Sequence, residues 1–212
     1  MLITEIYKKY RVTPQLQEHH LRVAAVAKQI CDNLSVNIDK ETIIKACLIH
    51  DLGNILKFDL TRFPEFLEPE GLEYWEKVKA DVVSKYGTGD EHEVTMKMAK
   101  EIGVSVDVID CVDHFGFSQA IDNQRRPLKN QICAYADMRV GPHAVVSLEQ
   151  RLEDGRKRYQ NHKYSKAMNS EELALALKNI EEQIFSKATI KPTDITNETI
   201  APIIKELQAY EF

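Results

Sequence analysis

Closely spaced cysteines, long apolar runs and an excess of positive charge are all missing from this chain of 212 residues. Its four cysteines, Cys31, Cys47, Cys111 and Cys133, lie far apart with no C-x-x-C pair, and read as reduced core thiols of a cytosolic protein. No apolar stretch approaches the length of a membrane span, and the N-terminus lacks the basic, apolar, small-residue order of a signal peptide. A soluble cytoplasmic protein without membrane binding is therefore expected. A formal net charge of -5 argues against stable nucleic-acid binding, although it does not exclude a small phosphorylated partner met by a local cluster of Lys and Arg. Convincing strands, internal repeats, low-complexity segments and linkers are lacking as well. What is present is 43% hydrophobic residues, spaced for helices and sufficient for one sizeable core. The fold class expected is all-α, with residues 1–212 as a single domain.

The pattern centres on Ala46-Cys47-Leu48-Ile49-His50-Asp51-Leu52-Gly53. Residues Glu41 to Leu52 form a predicted helix capped by Asp39 and ended by Gly53, with almost no polar face. An ionised carboxylate left there without a partner would cost several kcal/mol. A metal ion shared with the imidazole removes that cost; a core histidine bonded to a helix-end aspartate does so equally well.

Other helices offer similar groups. Thr13-Pro14 opens a helix predicted to reach Leu34, whose apolar stripe has His19 near its middle and His20 at its edge. Wheel geometry thus selects His19 over His20 as the inward residue. His92 lies in the first turn of a helix opened by Asp90 and Glu93. His114 ends a short helix on a mixed face beside Asp107, Asp110 and Cys111. Asp137 shares a face with Cys133 and Ala134. Helical bundles build metal sites from imidazoles and carboxylates offered inward by separate helices, and nitrogen and oxygen ligands suit iron, manganese, zinc, cobalt or nickel. The glycines at Gly87 and Gly89 sit between helices with no preceding strand, so they do not read as a phosphate-cradling loop. The long connection from Asn54 to Pro69, with Phe58, Phe63 and Phe66, reads as a lid or binding loop.

The segments His19-His20-Leu21-Arg22-Val23-Ala24, Ile49-His50-Asp51-Leu52-Gly53 and Ala136-Asp137 together resemble the HD-domain superfamily of metal-dependent phosphohydrolases. The resemblance spans about residues 14–141 and implies a helical bundle of that type, with C-terminal helices over about 142–212. It implies two divalent cations (iron or manganese, otherwise zinc, cobalt, nickel or magnesium). Asp51 would bridge them, with His19, His50 and Asp137 on one ion and His92 and His114 on the other. The implied activity is hydrolysis of a phosphate ester of a nucleotide or other small molecule by a metal-bound hydroxide. Asp51 or Glu91 would orient that hydroxide, and Arg22, Lys57, Arg62 and Arg139 are candidates for holding the phosphate. Many two-metal members carry a lysine three residues after the aspartate, where this chain has Asn54, which leaves the substrate class open. The alternatives are a diiron oxygenase of the same superfamily and a non-catalytic signalling module. Leu173, Leu175, Leu177, Ile180 and Ile184 either complete the core or form a homodimer face.

Overall fold

The computed structural model describes residues 1–61, 64–158 and 170–212. Among these are eleven α-helices and no β-strand, as the sequence predicts. They are α1 (Ile3–Lys9), α2 (Pro14–Asp32), α3 (Lys40–Ile49), α4 (Leu72–Tyr86), α5 (Glu91–Ile102), α6 (Val106–Asp113), α7 (Ala120–Asn123), α8 (Leu128–Met138), α9 (Leu148–Arg158), α10 (Glu171–Phe185) and α11 (Asn197–Leu207). Short polar side chains set many of the starts. Thr13, Asp39, Asp90, Ser105, Ser170 and Thr196 each accept a hydrogen bond from a backbone N–H in the first turn. Gly103 closes α5 in the left-handed region at φ 84°, where a side chain would be strained.

Helix α2 occupies the centre, packed against α3, α8 and α11, while α3 also meets α6 and α8. This enclosure explains an expectation that fails. Residues Val23 through Ala27 are all buried, so the buried arc of α2 is far wider than one stripe. His20, placed at the stripe's edge by the wheel, is wholly buried, because Tyr7 of α1 covers that edge with ring centres 5.6 Å apart. Tyr7 in turn donates to the Leu48 carbonyl at 2.9 Å, fastening α1 to the end of α3.

The connection after α3 also differs from a free lid. Two 3₁₀ turns, Asn54–Leu56 and Pro64–Leu67, break it up, and Ile55, Leu60 and Leu67 are buried. Trp75 Nε1 donates to the Leu67 carbonyl at 3.0 Å and Lys79 Nζ to the Phe58 carbonyl at 2.7 Å. Phe63 and Arg62 lie outside the described residues. In α10, Leu173, Leu177, Ile180 and Ile184 complete the core, whereas Leu175 is exposed. The four cysteines are free and buried.

Candidate metal centre

The helix carrying the His-Asp pair is shorter than its apolar run suggests. It stops at Ile49, with His50 as its C-terminal cap and Asp51 to Gly53 in the turn that follows. Leaving the helix at that point lets adjacent residues face the same space instead of diverging by 100°. Asp51 accepts a short hydrogen bond from Asn54 Nδ2, so Asn54 holds the carboxylate from behind. Gly53 makes the turn fit. Its N–H donates to Thr95 Oγ1 at 2.9 Å, and Thr95 donates on to the Glu91 carbonyl at 2.8 Å. A Cβ on Gly53 would run into the Glu91 carbonyl oxygen and lie 2.9 Å from Thr95 N. Gly53→Ala is therefore expected to destabilise the fold by about 1–3 kcal/mol through overpacking, read as a lower midpoint in urea unfolding. A midpoint equal to wild type would mean that α5 can move aside.

His19 from α2, His50 and Asp51 from the end of α3, and Asp137 from α8 meet at one place. Ligand atoms of His19, His50 and Asp51 lie within 4.8 Å of one another. His19 Nε2 is 3.1 Å from Asp137 Oδ1, and His50 Nε2 is 3.7 Å from both Asp137 Oδ1 and Asp51 Oδ2. The His50 ring is held on two sides. Phe115 stacks on it at 4.4 Å and 18°, and Nδ1 donates to the Cys47 carbonyl at 2.8 Å. A carbonyl can only accept, so Nδ1 carries the proton and a neutral ring keeps its lone pair on Nε2. That Nε2 is buried, faces two carboxylates and has no hydrogen-bond partner among the described residues. A lone pair directed at anionic oxygens is repulsive unless a positive charge lies between them. The residues thus fit a divalent cation, with two imidazole nitrogens and two carboxylates as the donor set.

The ionisation behaviour agrees. Burial alone would lower the pKa of His50, yet the neighbouring negative charges of Asp51 and Asp137 raise it overall. Burial alone would raise that of Asp137, but His19 at 3.1 Å and the nearby His50 ring hold it well below the usual carboxylate range. The cluster draws positive charge to itself. Side-chain exposure rises from 1% at His50 through 14% at Asp137 and 18% at His19 to 29% at Asp51, so the open side lies toward His19 and Asp51. His20 packs behind His50 with ring centres 5.0 Å apart, and burial together with His50 and His19 keeps its pKa well below normal.

The remaining candidates are placed as follows. His92 Nε2 bonds Asp113 Oδ1 at 3.0 Å on a largely exposed surface. His114 caps α6 and donates Nδ1 to the Asp110 carbonyl at 2.6 Å. Neither falls in the group of ligand atoms gathered at His50. Glu91 heads α5 beside Gly53, with its carboxylate 3.3 Å from Lys57 Nζ. Arg22 lies one turn after His19 and pairs with Glu18 at 2.8 Å. Arg139 is buried with its nitrogens bonded to Val146, Tyr135, Pro192 and Ile195, so the structure uses it as an internal tie. Its position two residues after Asp137, which suggested a substrate contact, turns it to another side of α8.

Fold and site together define an all-helical protein with a buried His/Asp centre suited to a divalent cation. A family model of the HD domain matches residues 16–138, and the chain belongs to that family of metal-dependent phosphohydrolases. No curated protein and no solved structure matches the chain.

Proposed function

We propose that this protein is a metal-dependent phosphohydrolase acting on a small phosphorylated substrate, with nucleotides as the first class to test. The observation that carries the reading is His50 Nε2, a buried lone pair set between two carboxylates in a chain of this family. His19, His50, Asp51 and Asp137 would hold the cation. When bound, a divalent ion supplies Lewis acidity toward a phosphoryl oxygen and lowers the pKa of water. Asp51, the most exposed of the set, would orient an attacking water and take its proton. Phe115 and the Cys47 carbonyl hold His50 fixed during turnover, so the geometry needs little reorganisation. Arg22, which shares a face of α2 with His19, would be the basic side chain that meets the substrate. Glu91 and Lys57 form a partly exposed pair that could exchange partners when an anion arrives.

The bonding of His92 to Asp113 favours one cation over two. Elemental analysis of protein purified without chelator is expected to give about one divalent ion per chain, unchanged in His114→Ala. About two, falling to about one in that variant, would restore His92 and His114 as ligands. Hydrolysis of p-nitrophenyl phosphate and of nucleotides should disappear on chelation and return with Mn²⁺. Protein that takes up no metal and hydrolyses none of these esters would sink the reading and leave the signalling-module alternative.

A further inference from the structure

Asp51 is the loosest member of the cluster. His50 is clamped by Phe115 and the Cys47 carbonyl, and Asp137 is met by His19 at 3.1 Å. The Asp51 side chain, by contrast, is 29% exposed and stands in a turn, after its helix has ended. A carboxylate free to rotate presents either oxygen, and ordering it on binding weakens the affinity for a cation. Asn54 removes that freedom. Its Nδ2 donates to Asp51 Oδ2, the same oxygen that lies 3.7 Å from His50 Nε2. Asp51 Oδ1 is left over, and it accepts no hydrogen bond among the described residues.

Asn54 is itself anchored. It opens the 3₁₀ turn Asn54–Leu56, its N–H donates to the Asp51 carbonyl at 3.0 Å, and it is only 4% exposed. The residue before it, Gly53, is tied to Thr95 of α5 at 2.9 Å. The other end of the Asn54 amide, Oδ1, is buried with no donor among the described residues. An orphaned acceptor of this kind is unfavourable by about 1–3 kcal/mol, and a leucine of similar bulk would avoid it. A buried amide that destabilises the interior while holding one carboxylate oxygen serves the site and not the fold. Its chemistry suits the task, because a neutral amide donates without cancelling the charge of the carboxylate, as an ammonium would.

We propose that Asn54 is a positioning residue that assigns the two oxygens of Asp51, Oδ2 to the cation and Oδ1 to the attacking water. It acts through Asp51 and touches neither substrate nor cation. This deepens the hydrolase reading above and rests on the cation centre of His19, His50, Asp51 and Asp137. Without the amide the two oxygens exchange places, and neither is kept for one role.

The test is calorimetric titration of Mn²⁺ into the full-length protein stripped by chelator. Wild type is compared with Asn54→Leu, Asn54→Gln and Thr95→Val. The first keeps the bulk and loses the donor, and the second keeps a donor on a longer arm. Thr95→Val loosens the same turn without touching Asp51. Asn54→Leu is expected to weaken Mn²⁺ binding about 10–100-fold, the scale for losing a partner that orients a metal ligand. Asn54→Gln should recover part of this. Thr95→Val should melt at a lower temperature yet bind Mn²⁺ as wild type does. Metal-free Asn54→Leu should melt at or above wild type, since it removes the orphaned oxygen, which separates lost positioning from lost folding. At saturating Mn²⁺ its hydrolysis of p-nitrophenyl phosphate should show a lower kcat and an unchanged KM. Mn²⁺ affinity equal to wild type, an equal loss in Thr95→Val, or a raised KM with unchanged kcat overturns the proposal. If that happens while wild type binds Mn²⁺ and hydrolyses the ester, the hydrolase reading stands alone. An Asn54-dependent affinity for Mn²⁺ in a protein that hydrolyses no ester would support the positioning and sink the hydrolase. Wild type that binds no Mn²⁺ overturns both.

Discussion

His50→Ala is expected to lower phosphate-ester hydrolysis about 1000-fold, the consequence of losing several kcal/mol of transition-state charge stabilisation. Of the four clustered residues His50 is the most buried, and its Nε2 has no hydrogen-bond partner among the described residues. Removing it leaves Asp51 and Asp137 on either side of a gap that water cannot bridge with equal affinity for a cation. Stability supplies a second readout that does not depend on turnover. A ligand that binds only the folded state raises the melting temperature with its concentration. Wild type should therefore melt higher as Mn²⁺ is added, and His50→Ala should not. Without metal the two proteins should differ less, because the variant loses Phe115 stacking but also sheds a buried polar atom without a partner. If His50→Ala retained both the Mn²⁺ shift and full hydrolysis, the cation would have to bind elsewhere.

The parts of this site that were legible in the sequence are those fixed by local order. Asp39, Thr13 and Ser105 announce helix starts through their own side chains, and His50-Asp51-Leu52-Gly53 announces a turn. His19 and Asp137 were legible because helical spacing places each on an apolar face. What could not be read is how many neighbours surround a helix. His20 looks marginal on a wheel, yet it is buried because α1 folds back over it through Tyr7, a contact between distant segments. His92 illustrates the opposite case. The family resemblance makes it a ligand, whereas its ring is turned to Asp113 on the neighbouring helix.

Arg139 gives the clearest separation between a residue near a site in sequence and a residue of the site. Arg139→Ala is expected to cost about 3–5 kcal/mol of stability, the scale for breaking a buried charged network from one side. Its Nε donates to the Val146 carbonyl at 2.6 Å and Nη1 to the Tyr135 hydroxyl at 2.8 Å. Nη1 and Nη2 both reach the Pro192 carbonyl at 3.1 Å, and Nη2 reaches that of Ile195 at 3.4 Å. The Tyr135 hydroxyl in turn donates to Glu181 Oε2 at 2.6 Å, so the network ties α8 to α10 and to the turn before α11. Alanine would leave several of these acceptors buried without a donor, and a cavity where the side chain stood. For a chain of this length the loss corresponds to a fall in melting temperature of roughly 6–20 °C. Arg139→Lys should recover little of it, because one ammonium cannot meet acceptors arranged around a planar fork. The decisive comparison is kinetic. Assayed well below its melting temperature, Arg139→Ala should hydrolyse with an unchanged KM, since its guanidinium is committed to the protein's own carbonyls. A stable variant with a raised KM would return Arg139 to the substrate site and remove the structural tie argued here.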